Sequence, residues 1–406
     1  MSNPPVAKTV PFTFTHLERT FSDPYAWLQE KSNPEVLAYL QAENAYAQDA
    51  LAHTAPLQEQ LFQEMRGRIA EDDSSAPEPR GAYAYYWRMQ AGEQYRIFCR
   101  RPISGSPADE ETLLNENSLA EGKAYCRVFF FEPSPDQKLL AYSVDTTGAW
   151  VFDLYIKDLR TGELVCGPIP NTAYTAAWAS DSRTLFYTGF DHAHRPYQLL
   201  RHTVGQDPAR DALVYHELDE AFSVRISRAR SGVFLLLTLA SATTSEVRFL
   251  HANQPAGEFR LIHPRQHWME YYLEHAASPD DPDGRFLIRT NDNALNFKLM
   301  EAPAADPARM SWREILPNRA DTFLEDVDAF QNHLVLYERH GGLPQIRVSA
   351  LDGLTRVHQV RFPDAVYTFS HAANPEFDTL TLRFFYNSLV TPVSTIDYNM
   401  HTHEWA

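Results

Sequence analysis

The chain has 406 residues and a formal net charge of −17, and it is 44% hydrophobic and 13% aromatic with 22% charged residues. That composition supplies a large folded core and excludes a disordered chain. The acidic balance excludes a nucleic-acid partner held by phosphate contacts, because a polyanion would be repelled, and it suits basic peptides.

Residues Met1 to Pro11 carry no apolar leader-type run, and the longest apolar run, Val233 to Ala240, is far too short to cross a bilayer. The three cysteines, Cys99, Cys126 and Cys166, are too few and too scattered for a disulfide framework or a zinc site. Together these features predict a soluble cytoplasmic protein with no cofactor, no metal and no membrane partner.

Asn33-Pro34-Glu35 reads as a helix start: Asn caps, Pro loses nothing by lacking an N–H in the first turn, and Glu favours the positive end of the dipole. The helix is predicted to reach about Leu51. A second start follows at Thr54 with Pro56, and Leu57, Leu61, Met65 and Ile69 recur every four residues on one stripe. The segment is too short to bury that stripe alone, so it is expected to dock on the modules downstream or on another domain. Glu71-Asp72-Asp73-Ser74-Ser75 with Pro77 and Pro79 reads as a linker. It divides a helical extension over residues 1–72 from an all-β region over residues 73–406.

In that region Ser134-Pro135-Asp136 marks a turn before the strand Leu139 to Val144, and Asp145 to Gly148 marks another before Phe152 to Asp158. Looser copies lead into Thr184 to Thr188, Val233 to Leu239, Arg285 to Arg289, Leu334 to Tyr337 and Thr379 to Phe385, with a less regular module from about Tyr83 to Arg101. The period of roughly 45 to 50 residues is that of a four-stranded blade, and the predicted fold is an all-β, seven-bladed propeller behind a short helical segment, with a β-sandwich array as the rival arrangement of the same repeats.

Sixteen histidines raise the question of a metal. The closest spacings, His192-x-His194 and His401-x-His403, lack an adjacent carboxylate or cysteine as third ligand, and exposed loop histidines are the better reading. Asp280-Asp281-Pro282-Asp283-Gly284 resembles the start of a calcium loop but has no closing Glu, so it reads as a β-turn. Thr290-Asn291-Asp292-Asn293 reads either as an amide-rich ligand site or, equally well, as an Asx turn. No Gly-x-Ser-x-Gly elbow occurs in the chain, and no Ser, His and Asp stand in a context that would activate a nucleophile.

Several strings are more specific. Asp23-Pro24-Tyr25-Ala26-Trp27-Leu28, Leu40-Gln41-Ala42-Glu43-Asn44-Ala45-Tyr46, Glu64-Met65-Arg66-Gly67-Arg68-Ile69 and Glu71-Asp72-Asp73-Ser74-Ser75 resemble the N-terminal region of the oligopeptidase B branch of the prolyl oligopeptidase family. Cys99-Arg100-Arg101, Leu140 to Asp145, Arg195-Pro196-Tyr197, Thr290-Asn291 with Asn296-Phe297, and Ser388-Leu389-Val390-Thr391-Pro392 resemble that family's propeller in order and spacing. The resemblance covers about residues 12 to 400.

It implies an extension that packs on a C-terminal α/β-hydrolase domain, with a seven-bladed propeller capping the active site and limiting access to short peptides cut after Arg or Lys. The catalytic Ser, Asp and His lie in that hydrolase domain, so no catalytic residue carries over to this chain. The chain ends at Ala406, near where the family enters the hydrolase domain. On this reading the chain is inactive alone, and the stripe at Leu57, Leu61, Met65 and Ile69 is one side of an interdomain contact. The alternative is a stand-alone propeller that binds protein or ligand. Trp150 departs from the family in standing where an acidic residue is usual, as does Arg96 in place of a common proline.

Overall fold

The structure is a computed structural model, and it describes residues 3–352 and 354–406. Its chain clusters into two units, Met1–Glu71 and Asp72–Ala406.

The first unit holds a hairpin, Thr13–His16 with Arg19–Ser22, followed by helices α1 (Pro34–Leu51) and α2 (Ala55–Arg66). The Asn33 side chain accepts from Glu35 N at 3.0 Å, capping α1 where the sequence placed the cap. Thr54 caps nothing: its hydroxyl donates back to Leu51 O at 2.7 Å, and α2 begins without a side-chain cap. Val36 is the only buried apolar residue of the two helices. Phe12, Phe14, Phe21, Leu37, Leu40 and Phe62 are all exposed, so this unit has almost no core of its own.

The second unit is a β-propeller of antiparallel sheets taken in chain order. Sheet I covers residues 78–115, sheet II 127–216, sheet III 223–261, sheet IV 271–316, sheet V 322–359 and sheet VI 367–399. The expectation of seven separate blades is not met. Among the described residues, sheets I, III, IV, V and VI are five discrete blades of four, four, four, four and three strands, and sheet II is one continuous sheet of seven. The cause is the strand Leu164–Trp178, 15 residues long, which pairs with Phe152–Asp158 through its first half and with Thr184–Phe190 through its second. It climbs beside one partner, bends near Asn171 (φ 58°) and Thr172, and descends beside the other. Two repeats that the sequence counted apart are thereby joined by a strand instead of a loop.

Apolar clusters fill the spaces between neighbouring sheets. Phe234 and Phe249 of sheet III meet Phe286 and Ile288 of sheet IV, and Tyr337 and Val348 of sheet V meet Phe384 and Tyr398 of sheet VI. Each such side chain contributes about 1.5–3 kcal/mol through burial, so each sheet is stable only between its neighbours. The seam between sheets VI and I is bridged by hydrogen bonds: Gly81 N donates to Glu376 Oε1 at 2.6 Å and Arg383 Nη1 to Pro77 O at 2.6 Å. No described helix is long and apolar enough to cross a membrane.

Candidate functional site

The innermost strand of each sheet lines a central channel, and its residues alternate between sheet core and channel. In Ser223–Arg228 the alternate residues Ser223, Arg225 and Ser227 are exposed into the channel while Val224 and Ile226 are buried. Near the ends of these strands lies a cavity of about 740 Å³ whose charged lining includes Arg80, Glu132, Arg228, Arg230, Glu274 and Glu376.

Arg230 crosses this end of the channel. From the turn after Ser223–Arg228 in sheet III it donates to Asp328 Oδ1 at 2.6 Å and Ala329 O at 3.1 Å in sheet V, and to Asn374 O at 2.7 Å in sheet VI. Its guanidinium lies 4.6 Å from the Phe330 ring centroid and 3.9 Å from Glu274 Oε2 of sheet IV. One cation thus ties four sheets together. Arg80 acts similarly between sheets I and II, bridging Glu78 at 2.5 Å and Glu132 at 3.0 Å. Enclosure by the channel wall pushes the Glu274 carboxyl well above the ordinary value. Arg230 opposes that shift, and the nearby Asp328 and Asp326 charges add to it. Burial also lowers the Arg228 pKa; its guanidinium bonds only to Ser180 Oγ (3.0 Å) and Gly232 O (2.8 Å).

The opposite end, where the innermost strands begin, has a different surface. Its connecting loops expose Leu218, Trp268, Leu295, Val366, Leu389 and Val390, the last three at 64%, 96% and 82%. The crossed end exposes fewer large apolar side chains, among them Met310 and Val357. An apolar rim of this extent on one face of a β-propeller marks an interaction surface.

One loop of this rim is held rigidly. Asp145 is 2% exposed and its carboxylate accepts from Thr147 N (2.8 Å), Thr147 Oγ1 (2.8 Å), Gly148 N (3.0 Å) and Trp150 N (2.9 Å). Burial alone would raise its pKa, but these donors hold it below the ordinary value. The bonded loop fixes Trp150 at φ 61°, a conformation a non-glycine residue rarely adopts, with the indole 49% exposed. Trp150 packs against Phe129 (6.0 Å) and Phe152 (6.4 Å), Arg127 lies 5.7 Å from its ring, and the aromatic chain continues through Tyr174 to Phe190. Such a platform can receive an apolar or a cationic side chain.

The predicted contact residues lie elsewhere. Leu57, Leu61 and Met65 share one exposed stripe of α2, whereas Ile69 follows the helix end and its Gly67 C-cap, so three of the four are on the helix. His192 and His194 sit in a hairpin loop at the apolar end, and the His194 ring lies 5.6 Å from Phe190. His401 and His403 lie at the crossed end, where His403 stacks on His358 at 3.6 Å. Asp281 Oδ1 accepts from Gly284 N at 3.1 Å within a tight turn, and Thr290 and Asn291 bond the Glu270 backbone. Sequence reasoning missed Arg230 and Phe129 as site residues and treated Asp145 only as part of a turn.

Residues 4–406 match the family model described as the prolyl oligopeptidase N-terminal beta-propeller domain. The chain is 35% identical over 405 residues to dipeptidyl aminopeptidase BI of Pseudoxanthomonas mexicana, covering 94% of this chain and 54% of that protein. It is 32% identical over 406 residues to protease 2 of Moraxella lacunata, covering 98% and 57%. The solved structure of oligopeptidase B from Leishmania major superposes with a TM-score of 0.91 at 28% identity, covering 100% of this chain and 60% of that one. Oligopeptidase B from Trypanosoma brucei, in a closed form with covalently bound antipain, gives 0.89 at 28% identity over the same shares. The chain thus spans little more than half the length of the relatives it matches.

Proposed function

Because this chain belongs to the prolyl oligopeptidase family, as its N-terminal β-propeller part, we propose that it is the non-catalytic, substrate-filtering part of an oligopeptidase B-like serine peptidase. It works with an α/β-hydrolase domain, in cis or on a separate chain, that cleaves short peptides after Arg or Lys. The observation that carries this reading is the asymmetry of the propeller's two ends. One end is crossed by Arg230, which restricts passage, and the other carries an apolar rim suited to a hydrolase domain laid over the channel mouth. A channel so arranged admits short, flexible peptides and excludes folded proteins.

The helical extension over residues 1–72 is proposed, on separate grounds, to contact the hydrolase domain as well. Its stripe at Leu57, Leu61 and Met65 is exposed, as is Ile69 beyond the helix end, and a segment with so little core needs a partner to bury it. Net charge −17 favours basic peptide substrates, and three free cysteines fit a reducing cytoplasm.

The test is co-expression with a hydrolase domain of the family, followed by assay on an Arg-containing chromogenic peptide. We expect a co-purifying complex that cleaves after Arg, no cleavage by this chain alone, and loss of the complex on L389D/V390D. Cleavage by the purified chain alone, abolished by a serine-directed inhibitor, refutes the reading. A tight complex with a protein that is not a hydrolase domain, with none formed by the hydrolase domain, favours a stand-alone binding propeller.

A further inference from the structure

A second cavity, of about 730 Å³, lies at the crossed end of the propeller between sheets V and VI, away from the channel and the apolar rim. Four histidines line it: His333 and His358 of sheet V, and His401 and His403 of the turn that follows sheet VI. In the register of sheet V, His333 pairs with Ala350, and Val335 and His358 both lie opposite Val348, so the two imidazoles share the face that packs on sheet VI. From the other side the turn brings His403 onto His358, with ring centroids 3.6 Å apart. Asn399 N donates to Glu404 O at 2.8 Å and His403 N to Asn399 O at 2.9 Å, which folds the chain back until Asp397 and Ala406 exchange two backbone hydrogen bonds. Trp405 is thereby laid 5.6 Å from Phe362 and Phe384 and 5.9 Å from Tyr386, over the apolar seam between sheets V and VI. The His403 stack on His358 ties the bend of this fold-back to sheet V.

Such a stack accommodates one proton but not two, because a second would set two cations 3.6 Å apart with His333 and His401 alongside. Protonation also makes both nitrogens of an imidazole donors, and His333 Nδ1 and His358 Nε2 are buried with no acceptor. The surrounding charges do not offset this. Arg285 of sheet IV is committed to Glu301 and Leu351 O, and Arg356 adds positive charge. The nearby carboxylates are engaged elsewhere: Asp378 of sheet VI lies beside the Gln331 side chain, Glu404 accepts from Thr402 Oγ1, and Asp352, which lines the cavity but is exposed, accepts from Thr355 Oγ1. Burial, reinforced by His401 at His333 and by His403 at His358, holds both imidazoles below the ordinary value, and the Arg356 backbone opposes it only at His358.

We propose that the four histidines form an acid-responsive latch: near and above neutral pH the His358–His403 stack holds the 399–406 turn on sheet V, and below about pH 6.5 protonation of the cluster releases the turn and uncovers Phe362, Phe384 and Tyr386. The device is independent of the peptidase reading. Its sign follows from linkage: the latched imidazoles bind protons less readily than the released ones, so the latch weakens as pH falls through the ordinary imidazole value.

Amide hydrogen exchange of the full chain tests it at Asn399, His403 and Ala406, whose N–H groups are bonded within the fold-back, after correction for the intrinsic pH dependence of exchange. We expect protection there to fall at least about tenfold between about pH 7.5 and pH 5.5, reversibly, while Phe234–Ala240 in sheet III keeps its own. Protonation of Glu274 acts in the opposite direction over this range and cannot produce the loss. H358Q and H403Q should each cut the change to under about threefold, and H192Q at the other end should leave it intact. The wild type alone gives a reading independent of variant folding: at least two histidine C2–H signals should titrate in step with the loss of protection. Protection at residues 399–406 that does not vary with pH, an equal loss in sheet III, a change undiminished in either H358Q or H403Q, or histidine titration out of step with exchange would each overturn the proposal.

Discussion

Replacing Arg230 with alanine tests how the narrow end of the channel is held. The substitution removes three hydrogen bonds that reach sheets V and VI and leaves the Asp328 carboxylate, whose side chain is 12% exposed, without its cation. Removing one partner of a buried pair costs about 3–5 kcal/mol, chiefly because the remaining charge stays desolvated. Asp328 keeps the Tyr337 hydroxyl at 2.8 Å, so the lower part of that range, about 3 kcal/mol, is the expectation. With an unfolding entropy of roughly 2 cal/mol/K per residue over the Asp72–Ala406 unit, the loss corresponds to roughly 4 °C in Tm. R230A/D328N should recover a large part of the deficit, because no uncompensated carboxylate is then buried. The assay is differential scanning calorimetry of wild type, R230A, D328N and R230A/D328N, with amide exchange of residues 372–376 as the local readout. A Tm change under about 1 °C for R230A, with unaltered exchange at Asn374, would show that the contacts across the channel end hold nothing, and the clasp would have to be abandoned.

Two further outcomes follow from the titrating groups of the channel and rim. Glu274 has a raised folded-state pKa, so the folded protein keeps a proton that the unfolded chain has already released, and stability declines as pH rises above the ordinary carboxylate range. E274Q should flatten that decline and gain stability at and above neutral pH, as urea unfolding across pH would show; a parallel pH profile for variant and wild type would contradict the assigned cause. Asp145 runs the other way: its lowered pKa contributes stability that is lost as pH falls through its folded value. D145A leaves four donors of the Trp150 loop unpaired and should cost about 2–3 kcal/mol. Amide exchange should then accelerate at residues 146–151, and unchanged protection there would mean that the carboxylate does not order the loop.

The sequence was readable where a residue's neighbours are apolar on both sides. Each turn-and-strand signature, such as Ser134-Pro135-Asp136 before Leu139–Asp145 or Arg230-Ser231-Gly232 before Phe234–Ala240, marks the second strand of its repeat. That strand is sandwiched between adjacent sheets and has at least four consecutive buried residues, so its composition is a continuous apolar run that stands out from the turn before it. The innermost strands have no such contrast. Ser223–Arg228, with the sequence SVRISR, faces water in the channel at every second position, and without a structure its arginines look like an ordinary solvated face. The blade count failed for a related reason. A count of turns presumes that repeats are separated by loops, and Leu164–Trp178 passes from one repeat to the next as strand throughout. Arg230 escaped notice because its meaning lies in Asp328 and Asn374, about 100 or more positions away, which only closure of the propeller brings to it. The rim was legible only as scattered exposed leucines and valines in separate loops; propeller geometry places Leu218, Trp268 and Leu389 on one face because connections after second and fourth strands all emerge where the innermost strands begin. Function in this fold therefore resides in what the ring brings together at its two ends, and the local motifs that reveal the ring are structural.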